Sequence, residues 1–100
     1  MEFEYDAHKS EINKEKHGLS LEEAKHLWMS PAVEIEARTE DEPRFLRIGR
    51  IGEKLYSCIY TQRGNKIRLI SARRSRKEKE KLYEERIEEK TNENETKTET

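Results

Sequence analysis

The spacing of apolar residues near the start of the chain predicts one short strand followed by two helices. Phe3-Glu4-Tyr5 alternates with period two and predicts the strand. Asp6 can cap a helix that runs to about Lys16, because its carboxylate accepts hydrogen bonds from the free amides of the first turn. Ser20 and Glu23 have the spacing of a capping box, which predicts a second, shorter helix.

From Val33 onward the apolar period changes to two, which predicts a series of strands joined by short turns. The predicted strands cover residues 33–37, 44–51, 55–61 and 66–72. Strands that follow one another through short turns favour an antiparallel meander. The sequence therefore predicts an α+β fold with two N-terminal helices, about four antiparallel strands and a C-terminal helix.

The C-terminal helix is predicted to begin at Ser75, which has Glu78 three residues later as in a capping box. Apolar residues are sparse in it and lie only between residues 82 and 87, so it should dock along a narrow line. Residues 90–100 contain no apolar side chain, which predicts a disordered polar tail. A single folded domain is then expected over residues 1–89.

Composition narrows the class of protein. Of the 100 residues, 43% are charged and 31% are hydrophobic, so the core is modest. No stretch is long and apolar enough to span a membrane, and the start lacks the basic and apolar regions of a secretory signal. Cys58 is the only cysteine and lies in an apolar strand, so we interpret it as a buried thiol in a cytoplasmic protein without a membrane partner.

The positive charge of the chain is concentrated in one segment. Residues 63–79 contain eight Lys or Arg and one acid, a net charge of +7, whereas residues 1–62 and residues 80–100 each carry −4. Such a segment on an otherwise acidic chain predicts contact with a polyanion. The alternative interpretation is a solvated helix face.

Three groups of residues resemble a family pattern and together cover roughly residues 3–85. The first group is Phe3-Glu4-Tyr5-Asp6, Asn13-x-x-Lys16-His17-Gly18 and Ser20-Leu21-Glu22-Glu23-Ala24. The second is Arg44-x-x-x-Ile48-Gly49. The third is Tyr60-Thr61-x-Arg63-Gly64, Ile67-Arg68-Leu69-Ile70-Ser71-Ala72-Arg73-Arg74, Glu78 and Leu82-Tyr83-Glu84. Through these motifs the chain resembles the BrnT family, the ribonuclease toxins of type II toxin–antitoxin systems.

The resemblance implies a fold like that of the RelE-type ribonucleases, with RNA as the substrate. It also implies a BrnA-like antitoxin with a ribbon-helix-helix domain as the partner. Two copies of each would form a heterotetramer, and operator DNA would be contacted only through that complex. The sequence departs from the family pattern at Ala7, Leu21 and Ser75-Arg76, where Pro, Phe and Ala-Thr are usual.

RNA cleavage without a metal requires three things of the protein. The 2′-hydroxyl must lose a proton, the charge on the phosphorane must be stabilised, and the leaving 5′-oxygen must gain a proton. The histidines lack cysteine partners and short paired spacing, so no metal site and no cofactor are expected. Arginine suits the second task, because its planar fork binds two phosphate oxygens and stays charged.

Alternation places Arg68 on the same strand face as Ile70 and Ala72, and we expect several arginines of neighbouring strands to converge on one phosphate. The predicted catalytic residues are Arg68, Arg73, Arg74, His17 and Tyr83. The predicted substrate-binding residues are Arg44, Arg47, Arg63 and Lys66.

Two of these assignments and the function itself have alternatives. His17 has the one side chain type that titrates near neutrality, but at a helix end it can instead bond to free carbonyls. Tyr83 can stack on a base or donate a proton, or it can simply dock the last helix. The whole chain can also be a non-catalytic module that binds nucleic acid or another protein through residues 63–79.

Overall fold

The computed structural model describes residues 2–37 and 42–99, with side chains described as far as Glu89. The elements are β1 (Glu2–Glu4), α1 (Ala7–His17), α2 (Leu21–Ala24), β2 (Ala32–Ala37), β3 (Arg44–Ile51), β4 (Lys54–Arg63), β5 (Lys66–Arg74) and α3 (Lys77–Glu99). Helix α2 is only one turn long and continues directly into a 3₁₀ segment (Lys25–Trp28).

The five strands form one mixed sheet in the order β1-β5-β4-β3-β2. Strands β2 to β5 form the predicted antiparallel meander. Strand β1 adds to it in parallel, with Glu4 beside Arg68 in the register. The expectation of a purely antiparallel sheet is therefore wrong at this edge. The likeness to RelE-type ribonucleases stays a prediction.

The ends of the first two helices follow the sequence signals. The Asp6 carboxylate accepts a hydrogen bond from the Lys9 amide at 3.1 Å, and Gly18 ends α1 with a φ of 74°. The Ser20 hydroxyl accepts from the Glu23 amide at 3.0 Å, while the Glu23 carboxylate accepts from the Ser20 amide at 3.0 Å. The predicted cap of α1 and the capping box of α2 are both confirmed.

The start and the end of α3 differ from the sequence prediction. The Ser75 hydroxyl lies 2.7 Å from the hydroxyl of Ser57, and α3 begins only at Lys77, so the predicted capping box with Glu78 is not formed. At the other end α3 continues past residue 89 to Glu99. The disordered polar tail over residues 90–100 stays a prediction. None of the helices described is long and apolar enough to cross a membrane.

The two sides of the sheet are covered differently. On one side, the helix side, α2 and the 3₁₀ segment that follows it pack a core that includes Leu21, Leu27 and Cys58. On the other side, α3 packs on β2 and β3 through Tyr83, which is buried with Ile48. The rest of this second side, formed by Arg44 at the start of β3, residues 57–63 of β4 and β5, contributes no described residue to the cluster around Tyr83, and we call it the open half.

Candidate nucleic-acid interface

Two of the predicted arginines face the same direction on neighbouring parts of the open half. Thr61 of β4 pairs with Arg68 of β5, and extending the β3–β4 register by one residue places Arg44 on its other side. We call Arg44, Thr61 and Arg68 the arginine row. Because adjacent strands lie about 4.8 Å apart, the Cα atoms of the two arginines are about 10 Å apart. Both arginine side chains therefore leave the sheet on the same face, on either side of the small Thr61 side chain.

Thr61 also fixes the backbone that leads into Arg44. It is 1% exposed, and its hydroxyl donates to the Pro43 carbonyl at 2.7 Å. The Nε of Arg44 is buried and has no hydrogen-bond partner among the residues that the structure describes. An unsatisfied buried donor usually destabilises the fold by about 1–3 kcal/mol. The Nε–H group of Arg44 is therefore a donor that makes no hydrogen bond to another described group of the protein.

A β-bulge decides which residues of β5 share a face. Leu69 pairs with Tyr60 and Ser71 pairs with Ile59, so Ile70 is an extra residue in β5. The bulge turns Ala72 toward the helix side, so the prediction that it shares a face with Arg68 is wrong.

The same bulge brings two predicted site residues onto one face. Arg68 and Arg73 are separated by an odd number of positions, so a regular strand would direct them to opposite sides of the sheet. The extra residue restores a common direction, and Arg73 pairs with Ser57 on the open half.

Beside the arginine row lies a cleft between β4 and the start of α3, which we call the basic cleft. Its volume is about 290 Å³. The floor includes Ile59, which is two positions from Thr61, so the cleft starts within about 7 Å of the row. The cleft is lined by Leu46, Ser57, Ile59, Arg73, Arg74, Arg76, Glu78 and Lys79.

The positive surface continues on the other side of the arginine row. Arg63 and Lys66 pair with each other at the end of the β4–β5 hairpin, and both are exposed. The Arg63 guanidinium lies 3.4 Å from a carboxylate oxygen of Glu42. Exposed ion pairs of this kind are weak, so the guanidinium stays available to a stronger anion.

Arg47 lies apart from these groups, on the helix side of the sheet. Its Nε donates to the Leu27 carbonyl at 3.0 Å, and its guanidinium pairs with the Glu34 carboxylate. The guanidinium carbon also lies 5.0 Å from the ring centre of Trp28. With its side chain 17% exposed, Arg47 fastens the 3₁₀ segment to β3 and does not join the arginine row.

The two predicted proton-transfer residues are also placed. Tyr83 is 8% exposed and packs against Val33 and Leu55, as expected if it docks α3. His17 is the last residue of α1 and lies one helical turn after Asn13. The Asn13 amide binds both the carbonyl and the N–H of Ala72, so His17 is within a turn of the point where α1 holds β5.

Glu4 lies beside the arginine row and was not singled out from the sequence as a site residue. A carboxylate oxygen of Glu4 is 3.8 Å from the Arg68 guanidinium, in line with the arginine row. Arg76 and Lys79 were also missed, although both line the basic cleft. Only the β1–β5 pairing reveals the position of Glu4, and that pairing joins distant parts of the chain.

Other reactive side chains lie away from this surface. Burial raises the pKa of the Cys58 thiol to about 12, so it is protonated near neutrality and is a poor nucleophile. Among the side chains that the structure describes, no three His, Cys, Asp or Glu groups lie closely enough together to hold a metal ion.

The fold and this surface together define a small α+β protein with a group of cations, including Arg68 and Arg73, on the open half of a mixed sheet. The chain belongs to the BrnT family, since the model of the BrnT ribonuclease toxin of type II toxin–antitoxin systems matches residues 5–79. The matched range contains the arginine row and the lining of the basic cleft. A comparison with curated proteins finds no match.

Proposed function

We propose that this chain is a ribonuclease toxin that cleaves RNA without a bound metal and holds the scissile phosphate between Arg44 and Arg68. The observation that carries the proposal is the register that sets these arginines on either side of Thr61, on the open half of the sheet. Membership of the BrnT family supports RNA as the substrate.

The chemistry follows from what guanidinium groups can do at this spacing. As the 2′-oxygen attacks, negative charge builds on the oxygens of the phosphorane. Arg44 and Arg68 can each donate two N–H groups to these oxygens from opposite sides. Charge held in place before the reaction stabilises the transition state more than mobile water does, and it supplies the role that a metal ion has in other nucleases.

The remaining cations are proposed to position the RNA on either side of the cut. Arg73 and Arg74 in the basic cleft would bind the backbone on one side, and Arg63 with Lys66 would bind it on the other. Phosphate contacts of this kind add affinity without sequence preference. Arg47, committed to Glu34 and Trp28, is proposed to stabilise the fold.

The partner proposed for the chain is a BrnA-like antitoxin with a ribbon-helix-helix domain. Membership of a type II toxin–antitoxin family implies that an antitoxin exists. We further propose that two copies of each protein assemble in the cytoplasm, that RNA cleavage is blocked in the complex, and that operator DNA is bound only by the antitoxin. Light scattering of the mixed proteins, with a mass for two copies of each, would test the assembly.

The test of the cleavage is an incubation of the purified chain with an end-labelled RNA oligonucleotide in EDTA. The folded chain should cut the RNA, and Arg68→Ala should lower the rate by about 10²–10³-fold, as for the loss of one fixed donor to a transition-state oxyanion. Arg86→Ala, an equal loss of charge on the exposed side of α3, is the matched control and should cut normally.

Two results would contradict the proposal. Intact RNA with folded wild-type chain in EDTA would refute metal-free cleavage. Salt-sensitive binding of the RNA without any cutting would instead support the alternative of a non-catalytic binding module. A rate unchanged by Arg68→Ala would show that the phosphate is not held at the arginine row.

A further inference from the structure

We propose that Glu4 is the general base that removes the proton from the attacking 2′-hydroxyl. This inference rests on the proposed function, because it assigns a role within the same site. The observation behind it is the position of one carboxylate at the end of a row of cations, 3.8 Å from the Arg68 guanidinium.

The backbone fixes Glu4 in this position. Strand β1 pairs with β5 in parallel, and the register sets Glu4 directly beside Arg68. Phe3 points to the helix side, where its ring makes an edge contact with Trp28 at 5.2 Å, and this anchors the strand. Because side chains alternate, an anchored Phe3 directs Glu4 to the side that carries the arginine row.

The environment of Glu4 fits a base that must meet a substrate. The Glu4 side chain is 31% exposed and the Arg68 side chain is 33% exposed. Both are partly withdrawn from water and both can still touch a ligand. The pair is also 3.8 Å apart, longer than a direct hydrogen bond, so the guanidinium is free to bind a phosphate while the carboxylate stays beside it.

The step balances in atoms and charge. A Glu4 carboxylate oxygen takes the proton of the 2′-hydroxyl as the 2′-oxygen bonds to phosphorus and the bond from phosphorus to the 5′-oxygen breaks. The departing 5′-oxygen takes a proton from a water molecule, and the hydroxide left behind takes the proton from Glu4. The products are a 2′,3′-cyclic phosphate and a 5′-hydroxyl, and the carboxylate is restored.

A second acid on the same strand provides a matched control. Glu2 is two residues earlier, faces the same side, is exposed, and pairs in the register with Lys66. Glu2→Gln and Glu4→Gln therefore remove the same charge from the same strand. Only the second removes a carboxylate from the arginine row.

The experiment measures kcat, KM and the pH profile of RNA cleavage for the wild-type chain and both variants. Glu4→Gln should lower kcat by about 10²–10⁴-fold with little change in KM. The fall in rate toward acid pH, where a carboxylate base becomes protonated, should vanish in this variant. Glu2→Gln should keep the wild-type kcat and pH profile. The cut ends should carry a cyclic phosphate.

The outcomes separate this inference from the proposed function. If the wild-type chain cuts RNA and Glu4→Gln cuts at the same rate with the same profile, Glu4 is not the base but the nuclease stands. If the wild-type chain leaves RNA intact, the proposed function itself fails. If Glu4→Gln does not fold, Glu4→Asp keeps the charge but retracts the carboxylate, and an unchanged kcat in that variant would overturn the assignment.

Discussion

Replacing Asn13 by alanine should strongly destabilise the protein, although none of its hydrogen bonds involves a residue proposed to bind the RNA. Its side chain is 8% exposed and makes three hydrogen bonds. The amide nitrogen donates to the Leu19 carbonyl at 2.7 Å and to the Ala72 carbonyl at 2.6 Å. The amide oxygen accepts from the Ala72 N–H at 3.2 Å. Strand β1 pairs only with residues 66–68, so this side chain substitutes for a neighbouring strand at the end of β5.

The size of the effect follows from the groups left behind. Asn13→Ala leaves two carbonyls and one N–H without their partner, and each buried group left unsatisfied destabilises by about 1–3 kcal/mol. Water can reach some of them, so we expect a total of about 3–5 kcal/mol. A domain of this length has a free energy of unfolding of about 5–15 kcal/mol, so the loss is a large fraction of it.

Thermal and urea unfolding followed by circular dichroism measure this effect. The melting temperature should fall by at least about 12 °C, since 1 kcal/mol corresponds to about 4–8 °C in a domain of this size. Gln62→Ala, an exposed polar residue of β4, should change the melting temperature little. A loss of less than about 1 kcal/mol in Asn13→Ala would refute the idea that this amide holds the end of β5.

Three further predictions follow from the structure. Because burial raises the pKa of the Cys58 thiol to about 12, the folded chain should react with a thiol reagent at pH 8 far more slowly than the urea-unfolded chain, and equal rates would contradict the buried placement. The Lys14 ammonium, with the Ser20 amide, lowers the pKa of Glu23 from 4.5 to about 2, so the capping box adds stability that is complete above pH 4.5 and is lost as pH falls toward 2. Glu23→Gln should flatten that part of the curve of urea midpoint against pH, and an unchanged slope would count against the lowered pKa. Arg47→Met should destabilise by about 2 kcal/mol in urea unfolding and leave cleavage per folded molecule unchanged, whereas lost cleavage at normal stability would place Arg47 in the site.

Local signals in the sequence predicted most of the elements. Alternating residues marked β2 to β5, and short-range caps such as Asp6 and the Ser20–Glu23 pair marked the helices. These features depend on neighbours within a few residues, so the sequence states them directly. Ser75 shows the limit of such local signals, because its hydroxyl is bonded to the buried Ser57 hydroxyl of β4 and does not cap α3.

The candidate site could be predicted only in part, because its geometry depends on pairing between distant segments. The sequence identified Arg68 and Arg44 as phosphate ligands, a role that remains proposed. Alternation alone gave the wrong partner face for Ala72, because the extra residue in β5 shifts the pattern. Alternation does separate Arg47 from Arg44, because the two lie an odd number of positions apart on β3, but it does not reveal that Arg47 packs against Trp28.

The parallel pairing of β1 with β5 sets a condition on when the protein can become active during synthesis. The first strand to leave the ribosome finds its neighbour only after nearly all of the sheet has been made. A nascent or truncated chain that ends before β5 holds neither Arg68 nor a place for Glu4 beside it. Under the proposed function, RNA cleavage therefore becomes possible only once the last strand of the sheet is in place.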